Sequence, residues 1–271
     1  MSSRRNALLA IVVVAIGYVL YRLFVHSNAL LTPTLVSPSM DAHRALSPDI
    51  VARVDRLLHE REGVRIDRPR LIALTFDDGP YPVTTPLLLD VLRSERVSAT
   101  FFLIGRDAET YPELTQRIEQ DGHEIANHTF SHPNLDELPP NAVRRELLEG
   151  AATLDRYVSD PGISTLFRPP HGRYTEDTVR IAQGLGYDTV LWTDDPGDWR
   201  SVTPDVLADH VFHYATAPEI VLLHSGKMAT ILMLPSVIER FRSAGYEFVT
   251  ISGLLDRVPV EALNRPEKHP V

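Results

Sequence analysis

Two aspartates stand side by side where an apolar run ends, Asp77 and Asp78 in TFDDGP. Adjacent like charges repel, and the stretch 71–80 holds no basic residue. A divalent cation on one of the pair would relieve the repulsion. His128 and His132, spaced by four in HTFSH, offer two imidazoles. With Asp78 they make a set of one oxygen and two nitrogens. That suits Zn²⁺ or a similar transition metal, with an open position for water. The chain has no cysteine, so a metal must rest on His, Asp or Glu. Asp77, left unligated, is then a candidate general base toward that water.

More polar residues follow other apolar runs. Arg168 precedes PPHGRY; Asp194, Asp195, Asp198 and Trp199 sit in DDPGDW; His224 ends EIVLLH. Each alone has a plain structural reading. DDGP is a turn sequence, an H-x-x-x-H pair is often incidental, and a lone tryptophan or histidine usually belongs to a core. Their joint order after successive apolar runs carries the argument.

Those runs are LIALTF (71–76), ATFFLI (99–104), EIANH (124–128), TLFRP (165–169), DTVLWT (188–193), EIVLLH (219–224) and EFVTI (247–251). Amphipathic stretches of helical spacing lie between them, over 84–97, 142–158, 175–186 and 231–245. Strand and helix in alternation predict an α/β fold, a parallel sheet of about seven strands with covering helices, closed into a barrel. In such a barrel the C-terminal strand ends share one face, and that face holds the site.

Upstream, Ala7 to Tyr21 carries no charge, and with residues to Val25 the run is long enough to span a bilayer. Arg4 and Arg5 precede it, so residues 1–25 read as a cytoplasmic tip and transmembrane helix with the remainder extracytoplasmic. The competing reading is a signal peptide cleaved near Ser27–Ala29, giving a secreted protein. Residues 26–67 read as a linker or stalk with a short helix over 49–60, residues 68–257 as the folded domain, and 258–271 as a tail. Of 27 basic residues, Arg4, Arg5 and Arg22 fall in the anchor, leaving 24 against 36 acidic ones. So acidic a domain argues against nucleic acid as partner.

TFDDGP, HTFSH, RPPHG, DPGDW and LLH, in that order over about residues 70–255 and with ATFFLIG after the first helix, resemble the five motifs of the polysaccharide deacetylases. These are the NodB-homology enzymes of carbohydrate esterase family 4. The resemblance implies a distorted (β/α) barrel and metal-dependent hydrolysis of N- or O-acetyl groups on a sugar polymer; the anchor then favours N-acetylglucosamine units of an extracytoplasmic glycan, peptidoglycan first and chitin-like next. The resemblance implies zinc first, cobalt or nickel next. It assigns Asp77 as base, and Asp78, His128 and His132 as ligands. Arg168 would hold Asp77, and Asp198 would orient His224, the general acid. The His171 amide would face the oxyanion, and Trp199 and Leu222 would wall the acetyl slot. Two positions depart from the common pattern: His171 where Tyr or Phe is frequent, and Ser225 where Asp is frequent. The rival readings are a tethered glycan-binding protein without turnover and a hydrolase of small cyclic amides.

Overall fold

The computed structural model describes residues 70–159, 165–215 and 217–258. The expected anchor, the linker with its short helix, and the tail beyond Val258 lie outside the described residues. Among the described residues no helix is long and apolar enough to cross a membrane.

Seven strands form, as expected: β1 (Leu71–Asp77), β2 (Thr100–Leu103), β3 (Glu124–Asn127), β4 (Leu166–Phe167), β5 (Asp188–Thr189), β6 (Glu219–His224) and β7 (Glu247–Phe248). The helices are α1 (Thr84–Glu95), α2 (Gly105–Thr110), α3 (Pro112–Gln120), α4 (Pro140–Leu154), α5 (Glu176–Gly184), α6 (Pro204–Tyr214), α7 (Met228–Ser243) and α8 (Ile251–Leu255). Every strand pairing is parallel. The order is β5-β4-β3-β2-β1-β6. β1 gives one edge to β6, and the other first to β7 at Leu71–Ile72 and then to β2 from Thr75 onward. A parallel bridge between Asp194 and Val221 brings the chain beyond β5 alongside β6. The result is a curled half-barrel, consistent with the expected barrel architecture.

β1 is buried along its whole length, as a strand covered on both faces must be. Its side chains alternate between two cores. Ile72, Leu74 and Phe76 pack outward with Leu88, Leu89, Leu207, Val211, Leu234 and Val237 of the helices. Leu71 and Ala73 face inward with Phe102, Ala126, Leu166 and Ile220. Thr75 and Asp77 continue the inward face. The register pairs Thr75 with Leu222 and Asp77 with His224, so these side chains share it. The inside is therefore apolar at one end and polar at the C-terminal rim.

β4, β5 and β7 hold two residues each, far short of their apolar runs. β4 stops before Arg168, whose successors Pro169 and Pro170 lack amide donors. β5 stops at Thr189 because the carbonyls of Val190 and Leu191 turn to the Arg168 guanidinium, at 3.2 and 3.0 Å. β7 stops because Thr250 caps α8, its hydroxyl accepting from the Gly253 amide. Helix α6, not anticipated from periodicity, starts with Pro204 in its first turn and seats Leu207, Ala208 and Val211 on the sheet.

Asp194, at the bridge to Val221, is 2 % exposed. One carboxyl oxygen lies 3.2 Å from His210 Nε2 on α6, and the other has no hydrogen-bond partner among the described residues. Burial, with the Asp195 charge adding, pushes this carboxyl up to about 7. The folded chain thus holds the proton more tightly than the unfolded chain. Stability present in acid is lost as pH rises through that value. Between about pH 5 and about pH 8 the wild type should lose on the order of 2 kcal/mol relative to Asp194→Asn, measured by urea unfolding. Equal pH dependence of the two proteins would refute this account.

Candidate active site

The C-terminal rim of the sheet brings together residues from β1, β3, β4 and β6 and the loops after them. Asp77 ends β1 and is nearly buried. Its Oδ1 accepts from Arg168 Nη1 at 2.6 Å, and its Oδ2 lies 3.7 Å from His128 Nε2. Arg168 is wholly buried. Besides Asp77 it donates to Thr75 Oγ1 at 2.8 Å and to the Val190 and Leu191 carbonyls, and its guanidinium lies 4.0 Å over the Phe102 ring. Burial pushes its pKa down, and Asp77 opposes that by charge and hydrogen bond.

Asp78 adopts φ 67°, which turns its side chain away from that of Asp77. Its Oδ1 lies 3.3 Å from His132 Nε2 and 3.8 Å from His128 Nε2. Ligand atoms of Asp78, His128 and His132 fall within 4.8 Å of one another. The donor chemistry fits a transition metal. His128 Nδ1 sits 2.8 Å from the Arg168 carbonyl, which can only accept. Nδ1 therefore carries the proton, and Nε2 presents a lone pair toward Asp78. Burial, with the neighbouring His128, pushes His132 down to about 4, so its ring is neutral at ordinary pH.

The loop between the two histidines is held from below. Glu146 on α4 accepts from the Phe130 and Ser131 amides at 3.1 and 2.8 Å and from the Ser131 hydroxyl at 2.7 Å. Asn127 accepts from the Thr129 amide at 2.8 Å and donates to the Leu147 carbonyl and Tyr187 hydroxyl. α4 approaches this closely because residue 150 is glycine; a Cβ there would lie 2.6 Å from Asn127 Oδ1. On the other side Ser225 clamps the aspartate turn. Its amide donates to the Asp77 carbonyl at 3.1 Å, and its hydroxyl lies 3.2 Å from the Asp77 and Asp78 carbonyls.

Across the rim, His224 Nδ1 is 2.6 Å from Asp198 Oδ1, and the His224 amide donates to Asp198 Oδ2 at 2.8 Å. Burial alone would lower the His224 pKa. The Asp198 hydrogen bond and charge, with the charges of Asp77 and Asp78, outweigh it and leave the imidazole raised. Asp78 and His224 open onto a cleft of about 420 Å³ shared with Tyr81, Pro82, Gly226 and Lys227.

The remaining expected residues flank this centre. The His171 ring packs edge-on to His132 at 4.5 Å, on a single helical turn where His171 has φ 56°. Trp199 is half exposed under the Arg200 guanidinium, and its carbonyl lies 3.5 Å from Lys227 Nζ. Leu222 is buried on the inward face beside Thr75. Thr75, Asn127, Glu146 and Thr230 also serve the site, and sequence spacing did not single them out. Each acts through a partner distant in sequence.

The polysaccharide deacetylase family model matches residues 65–190. A peptidoglycan-N-acetylglucosamine deacetylase of Bacillus cereus is 37 % identical over 191 residues, covering 69 % of this chain and 88 % of that protein. A chitooligosaccharide deacetylase of Rhizobium leguminosarum bv. phaseoli is 40 % identical over 174 residues, 63 % of this chain and 75 % of that one. Among solved structures, the Bc1960 peptidoglycan N-acetylglucosamine deacetylase superposes with TM-score 0.67 at 32 % identity, over 70 % of this chain and 90 % of that chain.

Removing Arg168 should leave the buried Asp77 charge without its partner. Arg168→Met should cost about 3–5 kcal/mol in urea unfolding of metal-free protein. Adding Asp77→Asn should recover part of that loss. A double variant no more stable than the single one would show that the guanidinium acts by packing alone.

Proposed function

The chain belongs to the polysaccharide deacetylase family, and from this premise we propose that it removes acetyl groups from N-acetylglucosamine units of an extracytoplasmic glycan. Peptidoglycan is the first choice of substrate and chitin-like oligosaccharides the second. The observation that carries the reading is the convergence of Asp78, His128 and His132 beside a carboxylate that none of them uses. A divalent cation, zinc first, held by those three residues would supply Lewis acidity toward the acetyl carbonyl and the attacking water.

The chain's own residues divide the proton work. Asp77 has one oxygen fixed by Arg168 and the other turned toward His128 Nε2. That free oxygen takes the proton of the attacking water. Developing charge on the carbonyl oxygen meets the backbone amide of His171, a donor typically worth on the order of 3 kcal/mol. His224 carries its Nδ1 proton to Asp198, so Nε2 faces the cleft and delivers a proton to the departing sugar nitrogen. Its raised pKa keeps it protonated closer to neutral pH. Trp199 and Leu222 bound the space for the acetyl methyl group. An apolar run at Ala7–Tyr21 preceded by Arg4 and Arg5 supports a single-pass anchor that keeps this domain outside the membrane, beside the wall.

Purified full-length protein should release acetate from peptidoglycan or chitooligosaccharides, and a chelator should stop it until zinc is restored. Absence of chelator-sensitive acetate from either glycan would overturn the assignment; glycan binding without release would point to a tethered binding protein. Asp77→Asn should keep metal affinity while turnover falls about 10²–10⁴-fold. His132→Ala should lose the metal itself, measured by metal content after dialysis.

A further inference from the structure

We propose that Thr230, in the first turn of α7, is a positioning residue for the acid half of the reaction: its hydroxyl ties the Asp198–His224 pair to the scaffold. The proposal rests on the deacetylase reading for its kinetic arm only. Thr230 is fully buried, and its Oγ1 lies 2.6 Å from Asp198 Oδ2. A carboxylate accepts, so the hydroxyl donates.

The geometry gives this contact a particular role. Among the described residues Asp198 Oδ1 meets His224 Nδ1, and Oδ2 meets the His224 amide and Thr230. Two of these three donors belong to His224 itself. Through the His224 ring and amide they tie the carboxylate to the end of β6. Thr230 is the donor that refers the pair to a second element. α7 is a firm reference, since Ile231, Leu234, Val237, Ile238 and Phe241 bury into the core against β1 and α1.

A threonine inside a helix ordinarily returns its hydroxyl to a carbonyl three or four residues back. Here it spends that bond on a carboxylate 32 residues away. Asp198 is 1 % exposed and Thr230 0 %. Water cannot readily replace a donor removed from such a place. Thr230→Val keeps shape and volume while deleting the hydroxyl, and Thr230→Ser restores the donor with a smaller side chain.

The test combines a spectroscopic and a kinetic arm on full-length protein. A short hydrogen bond such as His224 Nδ1–H to Asp198 should give a far-downfield proton resonance, assigned by its loss in His224→Gln. The resonance should persist in wild type and Thr230→Ser and vanish or move upfield in Thr230→Val. With N-acetylated chitooligosaccharide, Thr230→Val should lose about tenfold in kcat with KM within about twofold. Loss should be smaller on an aryl acetate ester, whose leaving group needs no proton. Thr230→Ser should regain most of the rate. An unchanged resonance in Thr230→Val, or equal loss on amide and ester, would overturn the proposal. Wild type without deacetylation would instead overturn the functional reading, while the resonance would still decide the role of Thr230.

Discussion

The buried Arg168 guanidinium is the constraint on which the rest of the rim depends. Both ends of this residue work on the site. Its side chain pins Asp77 and Thr75 of β1 and draws in the carbonyls of Val190 and Leu191. Its own carbonyl accepts the Nδ1 proton of His128 and so sets which nitrogen of that ring is bare. One residue thereby fixes Asp77, sets the tautomer of His128 and bends the chain after β5 toward β6. Burying a guanidinium is costly unless its donors are satisfied and its charge is paired. Here the Asp77 carboxylate pairs it and oxygen acceptors ring it, so the cost is met locally.

The second constraint is backbone conformation. Five non-glycine residues have positive φ among the described residues, and four stand at this rim: Asp78 at 67°, Thr129 at 69°, His132 at 61° and His171 at 56°. Left-handed backbone costs an L-residue on the order of 1–2 kcal/mol. Such strain persists only where the surroundings over-determine it. Ser225 does so for the aspartate turn, and Asn127 with Glu146 does so for the histidine loop. Gly150 is part of the same device, because α4 could not reach the loop past a Cβ. Ser225 in place of a larger residue also has a local reason. A Cβ at residue 79 would lie only 2.7 Å from its hydroxyl oxygen, so the turn beneath it is already filled.

The strands and the rim residues were legible in the sequence because burial on both faces writes continuous apolar runs, and parallel topology sends every run's end to one side. LIALTF and EIVLLH became full strands, and Asp77 and His224 fell where their ends predicted. The lengths of β4, β5 and β7 were not legible. Whether Val190 and Leu191 join a ladder depends on Arg168, more than twenty positions earlier, and no local pattern encodes that. Asn127, Glu146 and Thr230 were hidden for the same reason: each looks like an ordinary strand-end or helix residue until its partner is in place. Asp78, His128 and His132 were readable because ligand chemistry restricts residue type, whereas supporting hydrogen bonds accept almost any polar side chain. The apolar run Ala7–Tyr21, read as a membrane segment, lies outside the described residues.

Adjacent aspartates pose an electrostatic problem that the fold solves by sending them to different partners. Asp77 pairs with Arg168, leaving that unit neutral. Asp198 pairs with His224, whose raised pKa favours the charged ring. Among the described residues Asp78 makes its ion-pair contacts with two imidazoles and with no arginine, a set that could hold a cation. A divalent cation beside Asp78 would have only one of its two charges offset by that carboxylate. A neutral acetamide gains negative charge on its carbonyl oxygen as water adds. An environment already positive, fixed by buried bonds and left-handed turns, need not reorganise to meet that charge. The repulsion between neighbouring carboxylates is thus converted into a division of labour. Asp77 goes to the Arg168 guanidinium, and Asp78 goes to the imidazoles of His128 and His132.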